Sequence, residues 1–208
     1  MIRKIKNRII QYIFLQMQEL QRKKEIQELE SLKKQFKKVG VGFALGRDYS
    51  VLNPQSMQFG DNFMASFRFR IEAITKYGAQ KFDPCISIGN NVTFNPDCHI
   101  GCVNKIDIGD NCLFASRVFI SDHNHGDTTF EMLSIPPADR PLISSGIITI
   151  GKNVWVGEGA AILGGVKIGD NVVIATNAVV TKDVAKNTVV GGVPAEIIKI
   201  INEDETNH

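Results

Sequence analysis

The chain of 208 residues is 43% hydrophobic and 22% charged, with a formal net charge of +2. That is long enough for one domain with a sizeable core and an appendage. The charge is uneven: residues 1–38 hold 11 Lys or Arg against 4 Asp or Glu, while the rest is net acidic, which excludes a nucleic-acid-binding body because phosphate recognition needs a concentrated positive face.

The opening MIRKIKNRIIQYIFL lacks the uninterrupted apolar run and small-residue cleavage site of a secretory signal, and no segment of the chain has the length of an uncharged spanning helix. Residues 1–38 contain neither Gly nor Pro and read as helix. Leu29, Leu32, Phe36 and Val39 keep heptad spacing, as do Ile2, Ile5, Ile9 and Tyr12, with a phase break between the two sets. Three roles stand open: packing in an oligomer, capping of the following domain, or peripheral contact with an anionic membrane through Arg3, Lys4, Lys6 and Arg8. The division expected is a helical segment over 1–40, a repeat domain over 41–200 and a polar tail over 201–208. The four cysteines Cys85, Cys98, Cys102 and Cys112 form no C-x-x-C pair and read as reduced core thiols rather than disulfide or zinc ligands, which points to the cytoplasm.

From residue 51 onward the chain has a period of six. Ile150, Val156, Ile162, Ile168, Ile174 and Val180 form one ladder, and two positions earlier run Ile148, Val154, Ala160, Val166, Val172, Ala178 and Val184. The double ladder is present upstream as Ile86 and Ile88 through Cys98 and Ile100, and as Ile106 and Ile108 through Val118 and Ile120. A weaker copy opens it at Val51, Met57, Phe63 and Phe69. Neither a helix nor a long two-residue alternation gives that spacing. Short strands joined by tight turns do, with both ladder positions pointing inward and the residue between them outward. Three such rungs close a coil, and stacked coils bury one aliphatic column. The IGNN, IGDN and IGKN segments supply the corners, with Gly and Asn expected to give them backbone freedom.

Three breaks interrupt the array: residues 75–85, expected to loop out; two extra residues around Cys102 to Lys105; and the long excursion 122–146. A long departure from a repetitive scaffold is where function is expected. At the far end, GGVPAEIIKI reads as a last turn before a frayed tail.

These rungs, over residues 45–200, resemble the left-handed parallel β-helix of the hexapeptide-repeat acyltransferases. The resemblance implies an all-β left-handed β-helix with an N-terminal helix and a protruding loop, assembled as a homotrimer. It also implies an acetyl-CoA-dependent O-acetyltransferase acting on a hydroxyl of a sugar or surface polysaccharide, with no metal. Such transfer needs a base for the hydroxyl proton, donors for the oxyanion and a held thioester. Of the four histidines, His208 lies in the tail and His99 adjoins the inward Ile100, leaving His123 and His125. The stretch VFISDHNHG resembles the segment of maltose and galactoside O-acetyltransferases in which the catalytic His follows a rung. Ungapped register places that base at His125; the family's usual Pro after it is Gly126 here, which keeps His123 open. By the same register Asn95 falls on the acceptor side, and Asp122 is a further acceptor-side candidate.

Trp155, the only Trp, sits between inward Val154 and Val156 and so points outward, toward a ligand or a partner subunit. NVWVGEG is similar to the family's acetyl-CoA groove, with an N–H of Gly157 or Glu158 as oxyanion donor. IATNAVVTKDV resembles its coenzyme-gripping segment, which makes Thr176, Thr181, Lys182 and Lys199 coenzyme candidates. Glu196 stands where relatives carry a cation, leaving Lys186 or Lys199 for the phosphate end. Two other readings compete: a γ-type carbonic anhydrase, with His99, His123 and His125 on zinc, and a non-catalytic trimeric scaffold.

Overall fold

The computed structural model describes residues 2–202; His208 and most of the expected tail lie outside the described residues. The chain divides after Phe36 into two units. The first is helix α1, Ile2–Lys33. Its surface carries ion pairs one turn apart, Lys23 with Glu19 at 2.9 Å and Lys24 with Glu28 at 3.8 Å, and exposes Ile10, Tyr12, Phe14 and Met17. The helix is shorter than the sequence predicts. The heptad series runs past its end, and Val39 belongs instead to strand Lys38–Val39, which pairs in parallel with Met57–Phe59. Backbone pairing into the second unit outcompetes the continued helical period there. The side chains of Arg3, Lys4 and Arg8 are outside the described residues, and no described helix is long and apolar enough to cross a membrane.

The second unit is a parallel β-helix. Each coil visits three parallel sheets in turn. The first sheet takes Lys38–Val39, Met57–Phe59, Cys85–Ile88, Lys105–Ile108, Ile148–Ile150 and Lys167–Ile168 in that spatial order. The second runs from Ala44–Leu45 through Thr93–Phe94 and Trp155–Val156 to Thr188–Gly191. The third stacks Ser50–Leu52, Arg70–Ala73, His99–Cys102, Phe119–Ser121, Ala161–Leu163 and Val179–Val180. Both predicted ladders are interior: Ile148, Val156, Ala160, Ile162, Val172, Ile174 and Ala178 are all 0% exposed. Cys98, Cys102 and Cys112 fill inward positions as free thiols. Burial pushes the Cys98 and Cys112 thiols up to about 11. The early coils are filled by Phe59, Phe63, Phe69, Phe94 and Phe114, with Phe94 stacked on Phe114 at 4.2 Å.

At the corners the Asn half of the expectation holds and the Gly half does not. Left-handed backbone falls on Asn62, Asn91, Asn111, Asn153, Asn171 and Asn187, at φ between 54 and 59°, not on the preceding Gly. Asn tolerates that region because its amide bonds locally, and here the amides link into a ladder: each Nδ2 donates to the next Oδ1, at 2.9 Å from Asn91 to Asn111 and 3.0 Å from Asn153 to Asn171. The Gly serves close stacking; a Cβ on Gly151 would lie 2.7 Å from the Asp170 backbone nitrogen.

The breaks are structured. Residues 75–85 contain a small antiparallel hairpin, Lys76–Tyr77 against Gln80–Lys81. The excursion 122–146 opens and closes as an antiparallel ribbon, His123–His125 against Leu142–Ser144, with 3-10 turns Phe130–Ser134 and Pro137–Asp139 between. The closing segment is not just a turn: Glu196–Ile200 pairs antiparallel with Thr188–Gly191 and extends the second sheet, because its alternating backbone groups find a free strand edge there.

Candidate active site

The third sheet and the ribbon enclose a cleft of about 510 Å³, lined among others by Arg70, Glu72, Tyr77, His99, His123 and His125. Stacking brings these together: Arg70, His99 and Phe119 are register partners on successive coils, so their outward side chains form one column. The ribbon leaves the same sheet immediately after Phe119–Ser121, which carries both ribbon histidines to the column's edge.

His125 has an exposed ring whose Nδ1 lies 3.3 Å from the Tyr77 hydroxyl, with the two rings edge to face at 5.4 Å. The Gly after it is required by this geometry. Gly126 holds φ +75°, its N–H donates to the Pro141 carbonyl at 2.7 Å, and an added Cβ would meet Arg140 Cδ at 2.9 Å. Proline can supply neither that φ nor the N–H.

His123 is mostly covered, its side chain 11% exposed. Its Nδ1 faces Asp122 Oδ1 at 3.1 Å. Asp122 was an acceptor-side candidate, and the structure corrects this. It is 0% exposed, and its two oxygens accept the backbone N–H groups of Val103 and Asn104, each at 2.8 Å, while the Cys102 thiol approaches at 3.3 Å. Its acceptor capacity is taken up in holding the irregular corner at 102–105 and orienting His123, so it cannot reach a substrate. Burial and the adjacent Asp122 charge drive the Cys102 thiol strongly upward.

His99, set aside on sequence grounds because Ile100 points inward, lines the cleft. Its neighbour's inward orientation is what turns it outward. Its Nε2 meets Glu72 Oε2 at 3.2 Å, and Glu72 pairs with Arg70 at 2.8 Å. Burial lowers the His99 imidazole below its ordinary range, the Glu72 hydrogen bond opposes this, and Arg70 lowers it further. The three cleft histidines thus have three separate partners, and no group of three His, Cys, Asp or Glu side chains converges as a metal set among the described residues. Sequence reasoning also missed Tyr77, Glu72 and Arg70; the alternation around Ile71 was the available signal for the last two.

The remaining candidates lie on the second sheet and later coils. Trp155 points outward as predicted, 53% exposed, in a column with Leu113. The Gly157 N–H donates to the Ile174 carbonyl at 2.7 Å, which removes it as an oxyanion donor; a Cβ there would sit 2.5 Å from the Thr176 nitrogen, so Gly is needed for stacking. Glu158 pairs with Arg117 at 2.7 Å. Thr176, Thr181 and Lys182 are exposed at corners of the last coils, and Lys199 lies opposite Val189 in the closing strand. Asn95 follows strand Thr93–Phe94 and donates its N–H to the Phe114 carbonyl at 2.9 Å; it is not among the residues lining the cleft.

A coiled stack of six-residue rungs bearing an outward histidine cleft defines a class, the hexapeptide-repeat transferases, and residues 147–182 match the family described as bacterial transferase hexapeptide (six repeats). The chain is 38% identical over 158 residues to WbbJ of Escherichia coli K12, named for O-acetyl transfer in lipopolysaccharide biosynthesis, covering 74% of this chain and 76% of WbbJ. Among solved structures, a galactoside acetyltransferase in complex with coenzyme A superposes with a TM-score of 0.58 at 29% identity, covering 88% of this chain and 75% of that one. A maltose O-acetyltransferase from Clostridium difficile 630 does so with a TM-score of 0.57 at 30% identity, covering 83% and 73%. The chain belongs to the hexapeptide-repeat O-acetyltransferase family, and it is an acetyltransferase.

Proposed function

We propose that the protein moves an acetyl group from acetyl-CoA to a hydroxyl of a carbohydrate, with His125 as general base. The observation that carries this reading is the exposed His125 imidazole on the rim of a cleft of sugar-sized dimensions, in the register where the family's base falls. The neutral ring takes the hydroxyl proton as the oxygen attacks the thioester carbonyl carbon. The tetrahedral intermediate collapses, the carbon–sulfur bond breaks, and the imidazolium returns the proton to the departing thiolate. The names of the relatives, which include lipopolysaccharide and galactoside acetylation, support an acceptor among the sugars of surface polysaccharides or free glycosides.

One specific observation favours a second assignment of the base. His123 is oriented by the buried Asp122, the arrangement by which a carboxylate fixes an imidazole for proton transfer.

The coenzyme would lie along the later coils, with Trp155, Glu158, Thr176, Thr181, Lys182 and Lys199 along its length. Left-handed coils and a homotrimer complete the reading. Two faces carry outward apolar side chains, Met64, Leu113 and Trp155 on one and Phe119 on the other, whereas the first sheet shows Gln58, Ser87, Asp107, Thr149 and Lys167. Apolar outer faces gain by burial against neighbouring copies.

The test is coenzyme release from acetyl-CoA against a panel of free sugars, nucleotide sugars, polysaccharides and amino sugars. Hydroxyl acceptors are expected to accelerate release. Release that no sugar hydroxyl raises above hydrolysis, or that only amines raise, would overturn the reading.

A further inference from the structure

The hairpin inserted at 75–82 makes no rung of the stack, yet it touches the excursion 122–146 at three residues, His125, Ala138 and Leu142. Tyr77 and Gln80 are direct cross-strand partners, so both side chains leave the same face of the hairpin. Gln80 binds both backbone groups of Leu142: its Oε1 accepts the Leu142 N–H at 2.8 Å and its Nε2 donates to the Leu142 carbonyl at 3.1 Å. Leu142 is the residue paired with His125 in the ribbon. The Tyr77 hydroxyl donates to the Ala138 carbonyl and lies 3.3 Å from His125 Nδ1. The hairpin is itself tied to the first coils, since Asn53 Nδ2 donates to the Ala73 carbonyl at 2.7 Å and reaches Thr75 Oγ1 at 3.2 Å.

A hydroxyl has one proton. With that proton on the Ala138 carbonyl, the Tyr77 oxygen faces His125 as an acceptor, so Nδ1 must be the donor. The neutral ring is then the Nδ1–H tautomer, with its lone pair on Nε2, and Gln80 holds the strand opposite so that the ring stays in register. We infer that Tyr77 and Gln80 are positioning residues: the inserted hairpin selects the Nδ1–H tautomer of His125 and fixes its ring for proton transfer through Nε2. The inference rests on the assignment of His125 as base.

The test uses the full-length protein with an accepting sugar. Tyr77→Phe removes only the hydroxyl. Its kcat is expected to fall about tenfold, the scale of one lost hydrogen bond to a polar partner, with KM for acetyl-CoA unchanged. The ¹⁵N signals of the His125 ring, assigned by their absence in His125→Ala, are expected to shift from Nδ1–H to a tautomer mixture. Gln80→Ala leaves the Tyr77 hydroxyl in the chain but frees the strand opposite His125, and is expected to lower kcat with faster hydrogen exchange at the Leu142 amide. Wild-type kcat and an unchanged tautomer in Tyr77→Phe, or wild-type kcat in Gln80→Ala, would overturn the positioning role. If those variants behave as wild type while His125→Ala is inactive, the base assignment stands without the hairpin. An active His125→Ala removes both.

Discussion

Replacing Asp122 by Asn deletes one acceptor oxygen where none is spare. Oδ1 serves the Val103 N–H at 2.8 Å and His123 Nδ1 at 3.1 Å, and Oδ2 serves the Asn104 N–H at 2.8 Å. An amide has one oxygen, so in either orientation its NH₂ faces a backbone N–H inside a site that is 0% exposed. A hydrogen bond to a charged acceptor contributes about 1.5–3 kcal/mol, and a stranded buried donor costs about 1–3 kcal/mol. Allowing for partial relaxation, the loss is about 3 kcal/mol, which for a domain of this size lowers Tm by roughly 6–12 °C. Asp107→Asn is the control. That carboxylate pairs with Lys105 on the surface, at 32% exposure, where an ion pair contributes about 0–1 kcal/mol. Thermal unfolding followed by circular dichroism reads both. A Tm for Asp122→Asn within about 2 °C of the control would refute the claim that this carboxylate organises the corner at 102–105.

Thiol labelling tests the packing. Only Cys85 is partly exposed, and burial pushes the Cys98 and Cys112 thiols up to about 11, so a disulfide reagent at pH 8 should modify one of the four cysteines quickly and the rest only after denaturation. Four fast thiols would contradict the buried assignment. In the amide ladder, Asn153→Ala should cost about 1–2 kcal/mol from the left-handed backbone alone, with Asn153→Gly costing less, as chemical denaturation curves will show; equal stabilities for the two would place the cost elsewhere.

The ladders made the coil stack legible, because a six-residue period with paired inward positions has few other solutions. Trp155 was placed outward by the same alternation. What the period does not encode is which outward residues become neighbours. Arg70 and His99 are register partners 29 positions apart, whereas His99 and Phe119 are 20 apart, because the inserted hairpin lengthens one coil. The His99, Glu72 and Arg70 cluster therefore stayed hidden. The burial of Asp122 is not legible in the sequence, because its carboxylate substitutes for missing backbone partners at a corner two residues too long. The end of α1 was overextended because heptad spacing continues through Phe36 and Val39 although strand pairing has already begun at Lys38.

The most direct measurement is the rate of acetyl transfer to the accepting sugar by the wild type, His125→Ala and His123→Ala, alongside acetyl-CoA binding by calorimetry. Removal of a general base costs about 10²–10⁴ in rate. The expected result is a loss of that size in His125→Ala with coenzyme binding retained. A His125→Ala enzyme that turns over at the wild-type rate, or a dead His123→Ala beside an active His125→Ala, would contradict the account.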